Sequence, residues 1–413
     1  MSIHRQQLLQ IYHHALKAVH GRESVARYLR QHQAFDQPPA IIAIGKAAPA
    51  MMLGALDVLG EQVQQGLLIT KQGLLTPNQA FTKSKIICLE SNHPVPDQQS
   101  IDAGQQLITF LQNLPQTTPV ICLISGGASA LVEVLPDDLS LQDLQRVNQY
   151  LLSSGLDIQQ MNAIRQQLSC IKGGRLANYF HPHQQTVLGL YISDVPSDDL
   201  SIIGSGLLVT PKPLDASQQT QIQHIFTELA LPCTVKQIPP AHQLNIEHNI
   251  VASSRIGRLA ALDMAKKLEI EPIYCADELL VGDVFEAADM IVQTLKQNAG
   301  LYIWSSETTV QLPETIGRGG RCQTLALTIA QQIVDNEHYF VLAGSTDGND
   351  GSHLVAGALV DGDTINRGKT QGLEADEYLQ TADTGSFLDV TGDLIDTGET
   401  GTNVMDLILA WRV

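Results

Sequence analysis

The six cysteines, Cys88, Cys122, Cys170, Cys233, Cys275 and Cys322, include no C-x-x-C pair. That excludes the usual zinc-ligand spacing and a disulfide framework, and it reads as reduced, mostly buried thiols in a cytoplasmic protein. Positive charge is also scarce: 25 Lys+Arg stand against 43 Asp+Glu, a formal net charge of -18. Such a surface repels nucleic acid and anionic membranes, so neither is expected as a partner. No run approaches the roughly 18 uninterrupted apolar residues of a membrane span. The opening "MSIHRQQLLQIYHHALKAVHGRE" spaces Leu8, Leu9, Tyr12, Leu16 and Val19 on one face of an amphipathic helix, which is not the plan of a signal peptide. Two nucleotide-binding signatures are missing as well: there is no G-x-x-x-x-G-K-[ST], and no G-x-G-x-x-G that follows a strand with an acidic residue about 20 positions on.

What is present is a globular chain of 413 residues, 44% hydrophobic and 16% charged, long enough for two domains with separate cores. Short β-rich runs recur: "PPAIIAIGK", "GLLITK", "KIICLES", "PVICLISGG", "TVLGLYISD", "HNIVASS", "EPIYCAD", "LYIWSS" and "YFVLAGS". Most are followed by a helical pattern, which predicts an α/β fold of parallel sheets covered on both faces. A proline-rich stretch from Pro211 to Pro240 marks a boundary, giving expected domains 1–240 and 241–413. In open α/β sheets ligands bind beyond the carboxyl ends of strands, so the residues just after each run are where chemistry is sought.

Those residues are unusual. Lys46 follows the first run in "AIGKAAPAM", at a helix start where the helix dipole opposes a cation unless an anion offsets both. Ser125, Gly126 and Gly127 follow "PVICLI", and such a pair of glycines lets backbone amides approach phosphate oxygens, although a tight turn without a ligand explains it nearly as well. In "MNAIRQQLSCIKGGRLANYF", Arg165, Ser169, Lys172 and Arg175 share one face of an expected helix, and Gly173 and Gly174 then break it. Asp194 ends "LYISD", where it suits Mg²⁺, a hydroxyl proton or a helix cap. Asp347 and Asp350 lie in "AGSTDGNDGS"; Ala358 stands where a calcium loop needs its glutamate, so a Mg²⁺ site shared with a nucleotide fits better. Arg318 and Arg321 stand among glycines in "TIGRGGRCQ", and "TGETGTNVMD" offers hydroxyls and amides for an anion or simply a turn. Cationic glycine loops and carboxylate loops together suit phosphoryl transfer.

Eight ordered blocks, "IGKAAPAM", "NHPVPDQQS", "LISGGASAL", "MNAIRQQLSCIKGGRLA", "SDVPSDDLSIIGSG", "ETTVQLPETIGRGGRCQ", "GSTDGNDGSHLVAGALVD" and "TGETGTNV", resemble the glycerate 2-kinase family, whose C-terminal part is called the MOFRL domain. The resemblance implies ATP- and Mg²⁺-dependent phosphorylation of D-glycerate to 2-phosphoglycerate. It implies a larger Rossmann-like N-terminal domain and a smaller α/β C-terminal domain, with the site in the cleft between them; the sequence leaves monomer and homodimer both open. By motif, Lys46 and Arg321 resemble the family's essential cations and Asp194 and Asp347 its reacting-centre carboxylates, both open to Mg²⁺. Ser125, Gly126, Gly127, Lys172 and Gly173 would line the nucleotide phosphates. The chain departs from the family pattern at Ala128, Ser197, Leu207, Leu208, Cys322, Thr324 and Glu399. Two other readings stand beside it: an NAD(P)H-dependent hydroxypyruvate reductase, and a non-catalytic nucleotide- or metabolite-sensing relative. For the reductase, His93 of "NHPVPD" is the one attractive histidine, and its flanking prolines make it a loop-shaping residue.

Overall fold

A computed structural model describes residues 2–32, 35–181, 185–239, 246–311, 313, 317–351 and 354–413. The chain divides into two compact units, Gly21–Val251 and a second formed by Met1–His20 together with Ala252–Val413. The cut expected between 240 and 241 lies outside the described residues. The units differ from the expected domains in the N-terminal helix Ile3–Val19, which belongs with the C-terminal part. Its apolar face explains the placement. Leu8, Ile11, Tyr12, Ala15 and Leu16 are buried in one cluster with Ala261 and Ala265 of helix Ser254–Lys267 and with Leu342 and Leu409 of the second sheet.

The first unit is built on β1 (Ala40–Ile44), β2 (Gln65–Lys71), β3 (Ile86–Ser91), β4 (Val120–Ile124), β5 (Val187–Ile192) and β6 (Ile246–Ala252), in the order β3-β2-β1-β4-β5-β6. The run "HNIVASS", which a cut at 240 assigns to the C-terminal domain, is thus the edge strand of the first sheet. Pairings among β1 to β5 are parallel. Every residue of β1, β4 and β5 is buried, as a sheet covered on both faces requires. Each such Ile, Leu or Val contributes roughly 1.5–3 kcal/mol relative to an exposed position. The strand order reverses direction between β1 and β4, and at that reversal the carboxyl ends of neighbouring strands open a crevice.

The second unit holds β7 (Ile273–Cys275), β8 (Leu280–Asp283), β9 (Gly300–Thr309), β10 (Tyr339–Ser345), β11 (Gly357–Asp361), β12 (Leu394–Ile395) and β13 (Asp406–Arg412), ordered β12-β11-β10-β13-β9-β7 with β8 also on β9. This sheet corrects the expectation of parallel sheets throughout. The pairings β10 with β11, β10 with β13, β11 with β12 and β13 with β9 are antiparallel, and only β7 and β8 run parallel to β9. The cause is burial. Ile408 and Ala410 of β13 pack with Leu325 and Ala326 of helix Arg321–Gln332, while Leu407 and Leu409 face the cluster that holds Tyr12. A strand buried on both faces reads as a continuous apolar run whichever way it points. Among the described residues no helix is long and apolar enough to cross a membrane.

Candidate active site

In the first unit three neighbouring strands deliver the residues that matter. Ile44 and Ile124 are register partners, so the chain leaves β1 and β4 side by side. The two exits are laced together: Ser125 N donates to Ile44 O at 3.0 Å, Lys46 N donates to Gly126 O at 2.9 Å, and Ala47 N donates to Ser125 Oγ at 3.1 Å. The Ser125 hydroxyl is therefore occupied by the Lys46 turn, in a residue that is itself buried. Asp194, two residues past β5, lies against the backbone of Gly126, where a Cβ would sit 2.0 Å from Asp194 Oδ2. Gly127 has φ +85°, and a Cβ there would press on both His93 and the Lys46 side chain at 3.2 Å. The amides of Gly126 and Gly127 make no hydrogen bond among the described residues. Lys46, Gly126, Gly127 and Asp194 thus converge at the crevice where the strand order reverses.

Beside them is a cavity of about 200 Å³ whose lining includes His93, Gly127, Arg165, Lys172, Asp194 and Ser205. Burial pushes the Asp194 carboxyl above its ordinary value, with Lys46 opposing the shift. Burial, reinforced by Lys46, Lys71 and Arg165, holds His93 down to about 4, so its imidazole is neutral near pH 7. The expected long basic helical face is not formed. Helix Ile158–Gln167 ends ahead of Ser169, whose hydroxyl accepts from Ile171 N and Lys172 N at 3.2 Å each, and Gly173 and Gly174 take left-handed φ values of +63° and +83°. Arg165 therefore stays on the helix while Lys172 lies beyond it, buried and ion-paired with the buried Glu133. Burial lowers the Lys172 pKa and Glu133 opposes that change. The Gly173 amide donates to Ser205 O at 3.0 Å.

In the second unit β10 and β13 run antiparallel with Ser345 opposite Asp406, which brings the exit of one strand to the entry of the other. Arg321 begins helix Arg321–Gln332 and donates to Asp406 from Nε at 2.5 Å and Nη2 at 3.0 Å. Burial works against the Arg321 charge, yet Asp406 outweighs it and raises the pKa further. That helix has Gly320 as its cap, so a side chain from elsewhere caps it. Asp350 accepts from Cys322 N at 3.0 Å and Gln323 N at 2.8 Å. Burial raises the Asp350 carboxyl to about 6 against those bonds. Asp347 Oδ1 accepts from Ser345 Oγ at 2.9 Å and Asn349 N at 3.0 Å, and Tyr12 OH donates to Ser345 O at 2.6 Å. In "TGETGTNVMD" the Thr400 hydroxyl donates to Thr346 O at 2.5 Å, and the segment leads into β13. Arg318 is surface-exposed, 3.5 Å from Asp389.

The expected site residues thus fall into two groups, Lys46, Ser125, Gly126, Gly127, Lys172, Gly173 and Asp194 in one unit and Arg321 and Asp347 in the other. Sequence reasoning overlooked Glu133, Asp406 and the contribution of Tyr12, and it undervalued His93, Arg165 and Asp350. A buried lysine needs a carboxylate partner, yet nothing in the spacing points to Glu133. Asp194 and Asp347 offer hard oxygen donors. Among the described residues no group of three or more His, Cys, Asp or Glu could hold a metal alone. Either carboxylate by itself suits a cation such as Mg²⁺, which takes one or two carboxylates and completes its shell with phosphate and water.

Comparison with known proteins identifies the family and the fold. Residues 7–239 match a domain of unknown function, DUF4147, and residues 300–406 match the MOFRL family. A D-glycerate 2-kinase from Thermotoga maritima is 31% identical, covering 89% of each chain. A protein of Agrobacterium vitis with a provisional hydroxypyruvate reductase name is 33% identical over 89% of this chain and 97% of its own. The crystal structure of a glycerate kinase from Thermotoga maritima superimposes with a TM-score of 0.87 at 29% identity over 99% of both chains. With both domains matched in order and the fold shared along the whole length, the chain belongs to the glycerate 2-kinase family.

Proposed function

We propose that the protein phosphorylates D-glycerate to 2-phosphoglycerate with ATP and Mg²⁺. The observation that carries this reading is the convergence of Lys46 and Asp194 on the Gly126–Gly127 turn. Transfer of a phosphoryl group to a hydroxyl needs a base for the hydroxyl proton and fixed positive charge for the phosphoryl oxygens. Asp194 is the base. Its carboxyl, raised by burial with Lys46 opposing the shift, has a stronger hold on a proton than an exposed aspartate. Lys46 supplies charge toward the transferred group, and the two unused glycine amides supply donors.

Arg321, oriented by Asp406, is assigned to the phosphoryl group or the acceptor's carboxylate. Asp347 is the residue that would hold Mg²⁺, with Asp194 as a second candidate. Bound Mg²⁺ supplies neutralisation of phosphate charge and alignment of the phosphate oxygens. The buried Lys172–Glu133 pair stiffens the cavity wall, and neutral His93 fills the space beside Gly127 without adding charge.

The reductase reading draws on the name of the Agrobacterium relative. It needs a glycine-rich dinucleotide turn after a strand, and β1 is followed instead by Gly45, Lys46, Ala47 and Ala48. The kinase reading is tested by Asp194→Asn. Loss of the base should lower kcat by roughly 10²- to 10⁴-fold with the KM for ATP little changed. A variant that turns over D-glycerate at the wild-type rate would remove Asp194 from the chemistry.

A further inference from the structure

The charges around the first unit's cavity do not cancel. Lys172 is paired with Glu133, and Lys46 acts on the Asp194 carboxyl, opposing its burial-driven upward shift. His93 is neutral. Arg165 lines the same cavity, and its guanidinium makes no hydrogen bond or ion pair among the described residues. Its guanidinium is only partly exposed, and burial pulls its pKa down. A desolvated cation without a partner is unfavourable, and an anion entering the cavity relieves that cost.

The neighbours define what that anion looks like. Asn162 lies one turn before Arg165 on helix Ile158–Gln167, so the two share a face, and both line the cavity. Ser205 Oγ donates to Asn162 Oδ1 at 2.6 Å, and Ser129 Oγ is 2.7 Å from Ser205 Oγ. That chain engages the Asn162 oxygen and leaves its amide nitrogen as a second donor in a residue that lines the same cavity. Two donors on one helical face match the two oxygens of a carboxylate. At about 200 Å³ the cavity is smaller than the roughly 300–1,000 Å³ of pockets for drug-sized ligands, a scale that suits a small hydroxy acid.

We infer that Arg165, with Asn162, receives the carboxylate of the hydroxy-acid acceptor and selects an acid over its neutral analogue. The inference rests on the kinase reading above. Of the two roles open to Arg321 it leaves the phosphoryl group, and it directs the acceptor's carboxylate to Arg165 and its hydroxyl toward Asp194, which lines the same cavity.

The test uses the full chain with Arg165→Met and Arg165→Lys, measuring initial rates with D-glycerate, with D-glyceramide and with varied ATP. Arg165→Met should raise the KM for D-glycerate by about 10- to 100-fold, the worth of one charge-assisted contact, with a smaller effect on kcat. The preference for D-glycerate over D-glyceramide should shrink by a similar factor, and Arg165→Lys should restore part of it. Thermal stabilisation by D-glycerate should vanish in Arg165→Met while stabilisation by ATP and Mg²⁺ persists, which shows that the variant is folded. An unchanged KM for D-glycerate overturns the assignment. So does a raised KM for ATP alone, which would make the anion a phosphate. If the wild-type protein does not phosphorylate D-glycerate, the kinase reading itself fails and the carboxylate assignment falls with it.

Discussion

Asp406 holds Arg321 at two points, 2.5 Å from Nε and 3.0 Å from Nη2, and Asp406 is buried while the arginine side chain remains about a third exposed. The arginine is thus aimed by a fixed carboxylate and presents its remaining donors outward. Asp406→Asn keeps the shape and removes the charge. It should lower the stability by about 1.5–3 kcal/mol, the worth of a hydrogen bond to a charged group, and lower kcat/KM roughly 10- to 100-fold by loosening Arg321. Urea unfolding and steady-state rates check both. Lost stability with intact kcat/KM would make the pair purely structural.

Gly126 is the closest backbone approach to the candidate base. The Cβ of Gly126→Ala would fall 2.0 Å from Asp194 Oδ2, so the carboxylate has to move. Misplacement on the ångström scale costs on the order of 10²-fold in rate. The expected variant is folded by circular dichroism and nearly inactive, and wild-type turnover would contradict the assigned position of Asp194.

The Lys172–Glu133 pair makes a prediction about stability alone. Both side chains are almost wholly buried, so Glu133→Gln strands an ammonium and should cost about 3–5 kcal/mol in unfolding free energy. Replacing both residues, Glu133→Leu with Lys172→Met, should recover most of that loss. A loss under about 1 kcal/mol in the single variant would mean the lysine finds another partner.

Asp350 gives a pH dependence with a definite sign. Its folded pKa of about 6 exceeds the ordinary 3.8, so between these values the folded state binds a proton that the unfolded state releases. Stability from this group is present below the lower value and is lost as pH rises through the upper one, by about 3 kcal/mol in order of magnitude. The unfolding free energy of wild type minus that of Asp350→Asn should therefore fall between pH 4 and pH 6. A flat difference would show that Asp350 titrates as an ordinary aspartate, and a rising one that the fold favours its ionised form.

Much of the first unit was legible because its physics is local. The runs that became β1 to β5 are continuously apolar, and the loops after β1, β4 and β5 carry Lys46, Gly126 and Asp194 in plain view. The second sheet was less so. Residues 406–412 are buried on both faces, and such a strand carries no mark of its direction or of its place between β9 and β10. The helix after Ile158 was read too long because Ser169 looks like one more turn in sequence, whereas its hydroxyl caps the next turn's amides. Asp406 and Glu133 were invisible for a different reason: their partners lie 85 and 39 residues away, and only the folded chain brings them together.

The most direct test of the central claim is phosphorus NMR on the purified protein with ATP, Mg²⁺ and D-glycerate, run beside an absorbance assay with NADH and hydroxypyruvate. The account predicts a 2-phosphoglycerate signal that grows as ATP is consumed, with no loss of NADH. Intact ATP together with NADH oxidation would contradict it, and the Lys46 and Asp194 crevice would then have to serve hydride transfer.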